Sequence, residues 1–170
     1  EGQHEIERAE RHSIPQLMEL SDLKGDLHVH TNWSDGHDSI EAIAMAARDL
    51  GYQYLAVTDH SKGLGIARGL NEERLRAQMS EIRSLNERLN NMRILSGIEV
   101  DIRADGSLDL PDGILGELDV VIAAVHSSLS QEQDRMTKRV LRAIGNPNVD
   151  IIAHPTCRLL GQRESIALDL

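Results

Sequence analysis

GDLHVHTNWSDG, residues 25–36, sets His28 and His30 two apart at the end of an apolar-alternating run, with Asp35 five residues beyond His30. Alternation along a strand puts both imidazoles on one side, and Asp26 with them. A lone histidine on a strand is more often a hydrogen-bonded core residue than a ligand. The stretch therefore takes its meaning from what the rest of the chain delivers beside it.

Working outward, short strand-like runs recur: LHVH at 27–30, YLAVTDH at 54–60, ILSGIEV at 94–100, VVIAAVH at 120–126 and DIIAH at 150–154. Helical patterns fill the intervals. Asp38 with Glu41 three later reads as a capping-box start, with Ile40, Ile43, Ala44 and Ala47 as the apolar face and Gly51 as the stop. Asn71 caps the next helix, where Leu75, Met79, Ile82, Leu85 and Leu89 share a face and Glu72 can pair with Arg76. A third runs from about Gln131 to Ile144, with Met136, Val140, Leu141 and Ile144 on one side. The segment at 105–119 reads as a hairpin or loop, and the chain before Gly25 as a short helix around Ile6–Arg11 followed by a Pro15-led connection. Strand and helix alternating in this way predict parallel βα units.

The ends of the five strands carry His28 and His30, then Asp59 and His60, then Glu99 and Asp101, then His126, then His154. Parallel α/β folds gather their functional groups at the carboxyl ends of strands. So many nitrogen and oxygen donors exceed the three protein ligands of a single catalytic zinc. They fit a cluster of two or three divalent ions, Zn, Mn or Fe before Ca, with Glu99 as a natural bridge. Closely spaced divalent metals commonly serve phosphoester hydrolysis. Asp59 and Asp101 are read as supporting groups or strand-end turns, His4 and His12 as solvated, His37 as a turn residue and Cys157 as a small filler. Lys62, Arg68 and Arg158 follow donor positions in loops, where phosphate contacts are the functional reading.

Composition narrows the class. The 170 residues are 40% hydrophobic and 27% charged, which suits one globular domain. A net charge of −10 argues against a broad nucleic-acid surface. The longest apolar run, residues 120–125, is too short for a membrane span, and the solitary Cys157 fits a reducing cytoplasm. Among only three aromatic residues of the Phe, Trp and Tyr type, Trp33 is the best placed to contact a substrate base. GLGIARG at 63–69 has the wrong spacing for a dinucleotide fingerprint, and no Walker, HExxH or GxSxG motif occurs.

The order HVH, TDH, GIEV, VH, AHP resembles the PHP (polymerase and histidinol phosphatase) superfamily of metal-dependent phosphoesterases. LMELSDLKGDLHVHTNWSDG, VTDHSKGLGIARGL and IIAHPTCRLLGQR resemble in particular the C-terminal PHP domain of bacterial and archaeal family-X DNA polymerases. The resemblance implies a distorted (βα)7 TIM-like barrel over residues 25–170, preceded by a linker or helical segment at 1–24. It implies His28, His30, Asp35, His60, Glu99, His126 and His154 as the metal-ligating and catalytic residues. These would hold a trinuclear cluster, Mn, Zn or Fe with Mg also admitted. It implies manganese-favoured 3′-5′ exonuclease and related 3′-end or abasic-site processing by a metal-bridged hydroxide. An upstream nucleotidyltransferase domain would accompany it.

Two departures follow. Family members usually carry Gly where Cys157 stands. The family pattern also continues through two more strands, the last with an Asp-x-His pair, whereas this sequence stops at Leu170. The expectation is a fragment truncated after the fifth strand, binding metals incompletely and inactive on its own. A small-molecule phosphatase of the histidinol-phosphate type and a non-catalytic scaffold barrel are the competing readings. An amidohydrolase, which also opens on His-x-His, expects a bridging lysine at a later strand end, and none of the five runs ends in Lys.

Overall fold

A computed structural model describes residues 4–169. Its helices and strands are α1 (Glu5–Glu10), β1 (Gly25–Val29), α2 (Ile40–Asp49), β2 (Tyr54–Val57), α3 (Glu72–Asn86), β3 (Arg93–Asp101), α4 (Asp112–Leu115), β4 (Val120–Ala124), α5 (Gln133–Ile144) and β5 (Ile151–Ile152). The five strands form one parallel sheet in the order β1-β2-β3-β4-β5, curled as part of a TIM-like barrel. Each strand lies beside its sequence neighbour, as short βα units require.

β4 is buried on both faces of the sheet, which explains its unbroken apolar run. Val121, Ala123 and Val125 pack outward with Met136, Val140 and Ala143 of α5, in a core shared with Leu75 and Met79 of α3. Val120, Ile122 and Ala124 face the other way, beside Ala56 of β2 and Ala153. A further outward cluster joins Leu55 and Val57 of β2 to Ile40, Ala44 and Ala47 of α2 and to Ile82 and Leu85 of α3. Small inner residues are what a tightly curled sheet can accommodate.

The helices depart from expectation in detail. α2 is capped by Ser39, whose hydroxyl accepts from Ala42 N, rather than by Asp38. Asn71 caps α3 as read, accepting from Arg74 N at 2.9 Å, but that helix ends at Asn86 and Leu89 packs from the loop beyond. Arg76 reaches Glu117 instead of Glu72, which turns to Lys62 at 3.7 Å. On α5 the buried positions are Met136, Arg139, Val140 and Ala143, leaving Leu141 and Ile144 exposed. Arg139 rotates the inward face: it donates to the carbonyls of Ser127 and Ile102, fixing α5 to the loops after β4 and β3. The segment after β3 forms the expected hairpin only as an isolated Ile102–Leu108 antiparallel bridge, and adds the single-turn α4, which the hairpin-or-loop reading does not include.

Residues 4–24 bury no side chain, and Ile6, Leu17, Met18 and Leu20 all lie open. No helix among the described residues is long and apolar enough to cross a membrane.

Candidate metal centre

The parallel register gathers the donors. β1 delivers His28 from its last turn of pleat and His30 immediately beyond its end, and β3 carries Glu99. His60 lies just past β2 and forms a parallel bridge with Glu99. His126 and His154 follow β4 and β5 by two residues each. The five imidazoles form a closed circle: ring centroids are 5.2 Å apart for His28–His30, 4.3 Å for His30–His60, 5.0 Å for His60–His126, 5.4 Å for His126–His154 and 6.3 Å for His154–His28.

Glu99 stands at the centre with 1% of its surface exposed. Its two oxygens divide the histidines. Oε2 faces His28 Nε2 at 3.4 Å, His30 Nε2 at 3.3 Å and His60 Nδ1 at 2.9 Å. Oε1 faces His126 Nε2 at 3.3 Å and His154 Nε2 at 2.9 Å. Burial alone would raise the Glu99 pKa, but His126, His154, His28 and His30 outweigh it and hold the carboxyl far below the ordinary range. Burial pulls His126 down, yet Asp101 and Glu99 together lift it to about 9. His154 is raised to about 10 by Cys157 and then Glu99. His30 is raised too, Glu99 and Asp35 outweighing its burial.

Asp35 enters from the loop after β1, its Oδ1 3.0 Å from His30 Nδ1 and its Oδ2 3.5 Å from His60 Nε2. Three donor groups, His28–His30–Glu99, His30–Asp35–His60 and His60–Glu99–His126, each have ligand atoms within 4.8 Å of one another. Buried His60 Nδ1 and His126 Nδ1 lack hydrogen bonds even though carboxylate oxygens stand 2.9 and 3.3 Å away. Atoms that converge without donor–acceptor alignment suit a shared cation better than one another, so the donor set fits divalent metal.

The acids flanking this circle do different work. Asp101 Oδ1 accepts from His126 N at 3.3 Å, holding that residue through its backbone, and lies 3.3 Å from His126 Nδ1. Asp109, unremarked in the sequence, accepts from Ser61 Oγ, Gly63 N and Asp101 N and so pins the loop after β2 to the end of β3. Asp59 faces away from the histidines into the loop at 31–36, and Asp26 accepts from His28 N. Gln78, whose Nε2 donates to Asp59, is a residue the sequence reading missed: it is the one polar residue on the buried face of α3, among Leu75, Met79 and Ile82, and that interruption is the signal the sequence offers.

The three proposed substrate contacts part company. Lys62 and Arg158 are exposed in the loops after β2 and β5, at the same end of the sheet as the donors. Trp33 is half-buried between two core clusters, its Nε1 donating to Glu81 at 2.9 Å and its face under Arg74. Arg68 donates to Ser34 O, so this guanidinium is engaged with the loop at 31–36. His4, His12 and His37 are exposed, apart from the circle. Cys157 takes φ +50°, the left-handed region that explains a family preference for Gly; its buried thiol donates to Val125 O.

A curled parallel sheet with acid and imidazole donors at its carboxyl edge is an α/β barrel architecture carrying a candidate metal site. Residues 26–160 match the family model described as "PHP domain", and the chain belongs to that family. It is 50% identical over 155 residues to the DNA polymerase/3'-5' exonuclease PolX of Bacillus subtilis, covering 91% of this chain and 27% of that protein. A probable phosphatase of Thermoanaerobacter sp. is 39% identical over 136 residues, covering 76% of this chain and 53% of the relative. A probable phosphatase of Shewanella sediminis is 31% identical over 134 residues, with 76% and 52% covered. The chain thus spans between about a quarter and a half of the length of these relatives.

Proposed function

We propose that this chain is the PHP unit of a metal-dependent phosphoester hydrolase acting on DNA 3′ ends, as a 3′-5′ exonuclease with related 3′-end processing. The observation that carries the reading is the closed circle of five imidazoles around one buried carboxylate. His28, His30, Asp35, His60, Glu99, His126 and His154 are the proposed ligands of two or three divalent ions, Mn, Zn or Fe, with Glu99 joining the two halves through its separate oxygens. Such ions supply charge neutralisation at phosphate oxygens and acidify water. Within the chain, Asp101 holds His126 through its backbone N–H, and Lys62 and Arg158, exposed in loops at the donor end of the sheet, are the proposed phosphate contacts. Trp33 supports the loop at 31–36 rather than meeting a base. DNA as substrate, and a nucleotidyltransferase domain upstream of residue 25, rest on the likeness to the Bacillus polymerase/exonuclease.

Hydrolysis of a small phosphate ester is the second reading, favoured by the phosphatase relatives and by a net charge of −10. The full-length protein, loaded with Mn²⁺ and offered a 5′-labelled oligonucleotide and a simple aryl phosphate, separates the two. Preferential shortening of the oligonucleotide, lost in His28→Ala and Glu99→Ala, is the expected result. Turnover confined to the aryl phosphate selects the second reading, and hydrolysis of neither, with metal bound, leaves a scaffold.

A further inference from the structure

Asp59 precedes His60, yet it is fully buried and points the other way. Its Oδ1 accepts from Thr31 N at 2.8 Å, Ser34 N at 3.1 Å and Ser34 Oγ, and its Oδ2 from Thr31 Oγ1 at 2.7 Å and Gln78 Nε2 at 2.6 Å. An ionised carboxylate offers about four lone-pair sites. Five donors saturate it, so Asp59 has no electron pair left for a cation. Four of these five donors belong to the loop between β1 and α2. Thr31 and Ser34 bracket Trp33 and stand directly before Asp35, while Thr31 O accepts from Ser34 N and Gly36 N to close the turn. From the outer side Arg74 donates to Trp33 O and Arg68 to Ser34 O. The loop is thus gripped through its side chains from within and its carbonyls from without, and Asp35 is the residue it projects toward His30 and His60.

We propose that Asp59, braced by Gln78 of α3, is a positioning residue that sets the Asp35 carboxylate against His30 and His60 and thereby determines whether that donor triad holds a divalent cation. This rests on the metal reading above, and narrows it: the Asp35 corner depends on the Asp59 side chain, whereas Asp59 meets Glu99 through its backbone alone, its carbonyl accepting from Glu99 N at 3.1 Å, a contact that side-chain substitution leaves in place. Gln78 completes the donor set on Asp59. It is buried on the apolar face of α3 with Nε2 on Asp59 and Oε1 unpaired, a costly placement that a purely structural role for α3 would not need.

Equilibrium dialysis of the metal-free protein against Co²⁺, with the visible spectrum and the Co²⁺-induced rise in melting temperature recorded alongside, tests this without reference to turnover. Asp59→Asn, Ser34→Ala and Gln78→Met are compared with Asp35→Asn. The expected result is that all four lose or weaken at least tenfold the same one equivalent of Co²⁺, with the same change of spectrum, while the remaining equivalents bind as in the parent protein. Asp59 variants that keep every equivalent and the parent spectrum overturn the proposal. So does uniform weakening of all equivalents, or failure of all three Asp59-network variants to fold, since either makes Asp59 a general structural residue. Absence of Co²⁺ binding by the parent protein overturns the metal reading itself.

Discussion

Glu99 and His154, fifty-five residues apart, meet through Oε1 and Nε2 at 2.9 Å, while the other oxygen of the same carboxylate faces His60 at 2.9 Å. One buried side chain therefore links imidazoles brought from both edges of the sheet. In the metal-free chain it also acts as a counter-charge that helps raise the pKa of His126 and His154.

Glu99→Gln keeps the shape and removes that charge. Histidine titrations followed by NMR in the metal-free protein should place His126 near 9 and His154 near 10 in the parent chain. Both should fall in the variant yet stay above the ordinary imidazole value, because Asp101 still faces His126 at 3.3 Å and Cys157 still stands beside His154. An unchanged His126 would assign its shift to Asp101 alone.

The same shifts fix a pH dependence. A histidine whose folded pKa exceeds the unfolded value of about 6.5 contributes stability that is complete below that pH and disappears as pH rises through the folded value. For His126 and His154 the loss spans from about 6.5 to about 9 and about 10. Glu99, depressed, contributes above the ordinary carboxylate range and loses that contribution only in stronger acid. With chelator present, the melting temperature should decline from pH 6.5 toward pH 10. Divalent metal needs unprotonated imidazole, so the stabilisation it confers should grow across the same window, with proton release on binding.

Periodicity and strand-end chemistry made the sheet and the donor circle legible in the sequence, because both depend on local alternation and on the parallel βα order. His28, His30, His60, Glu99, His126 and His154 are separately unremarkable, and their common placement at one edge follows from topology alone. What stayed hidden was set by contacts distant in sequence. The orientation of α5 depends on Arg139 finding carbonyls at Ile102 and Ser127, a polar tether that an apolar-face count misses. The outward turn of Asp59 depends on Gln78, and the role of Trp33 on Glu81 and Arg74.

Arg139→Leu tests that tether. The side chain is 2% exposed and its donors serve Ile102 O, Ser127 O and Gln131 Oε1. Truncating it to an aliphatic residue leaves two backbone carbonyls unpaired, at about 1–3 kcal/mol for each group left buried. Urea denaturation should show a loss of about 2–4 kcal/mol, partly offset because burial had already disfavoured the charged guanidinium. Metal stoichiometry should be unaffected, since Arg139 touches none of the seven proposed ligands. A variant as stable as the parent would mean that water replaces the guanidinium at those carbonyls.

The loop after β2 supplies the sharpest steric contrast. Leu70 N donates to His60 O at 2.7 Å, and Ser61 and Leu70 form a parallel bridge, so the chain on leaving the site returns to lie against itself. At Gly69 this closeness leaves no room: a Cβ there would overlap the carbonyl oxygen of Ser61, which is backbone and cannot swing aside. Four residues earlier, a Cβ on Gly65 would meet nothing within 4 Å. Gly69→Ala must therefore pry the returning segment away from Ser61 and shift His60 with it. Metal binding should weaken at the donor groups containing His60, and the melting temperature should fall by several degrees, as for a loss of about 1–3 kcal/mol. Gly65→Ala, through the reduced freedom of its unfolded chain, should be neutral or slightly stabilising. Equal behaviour of the two variants in thermal melts and chelator competition would show that the loop tolerates opening and that its contact with Ser61 does not position His60.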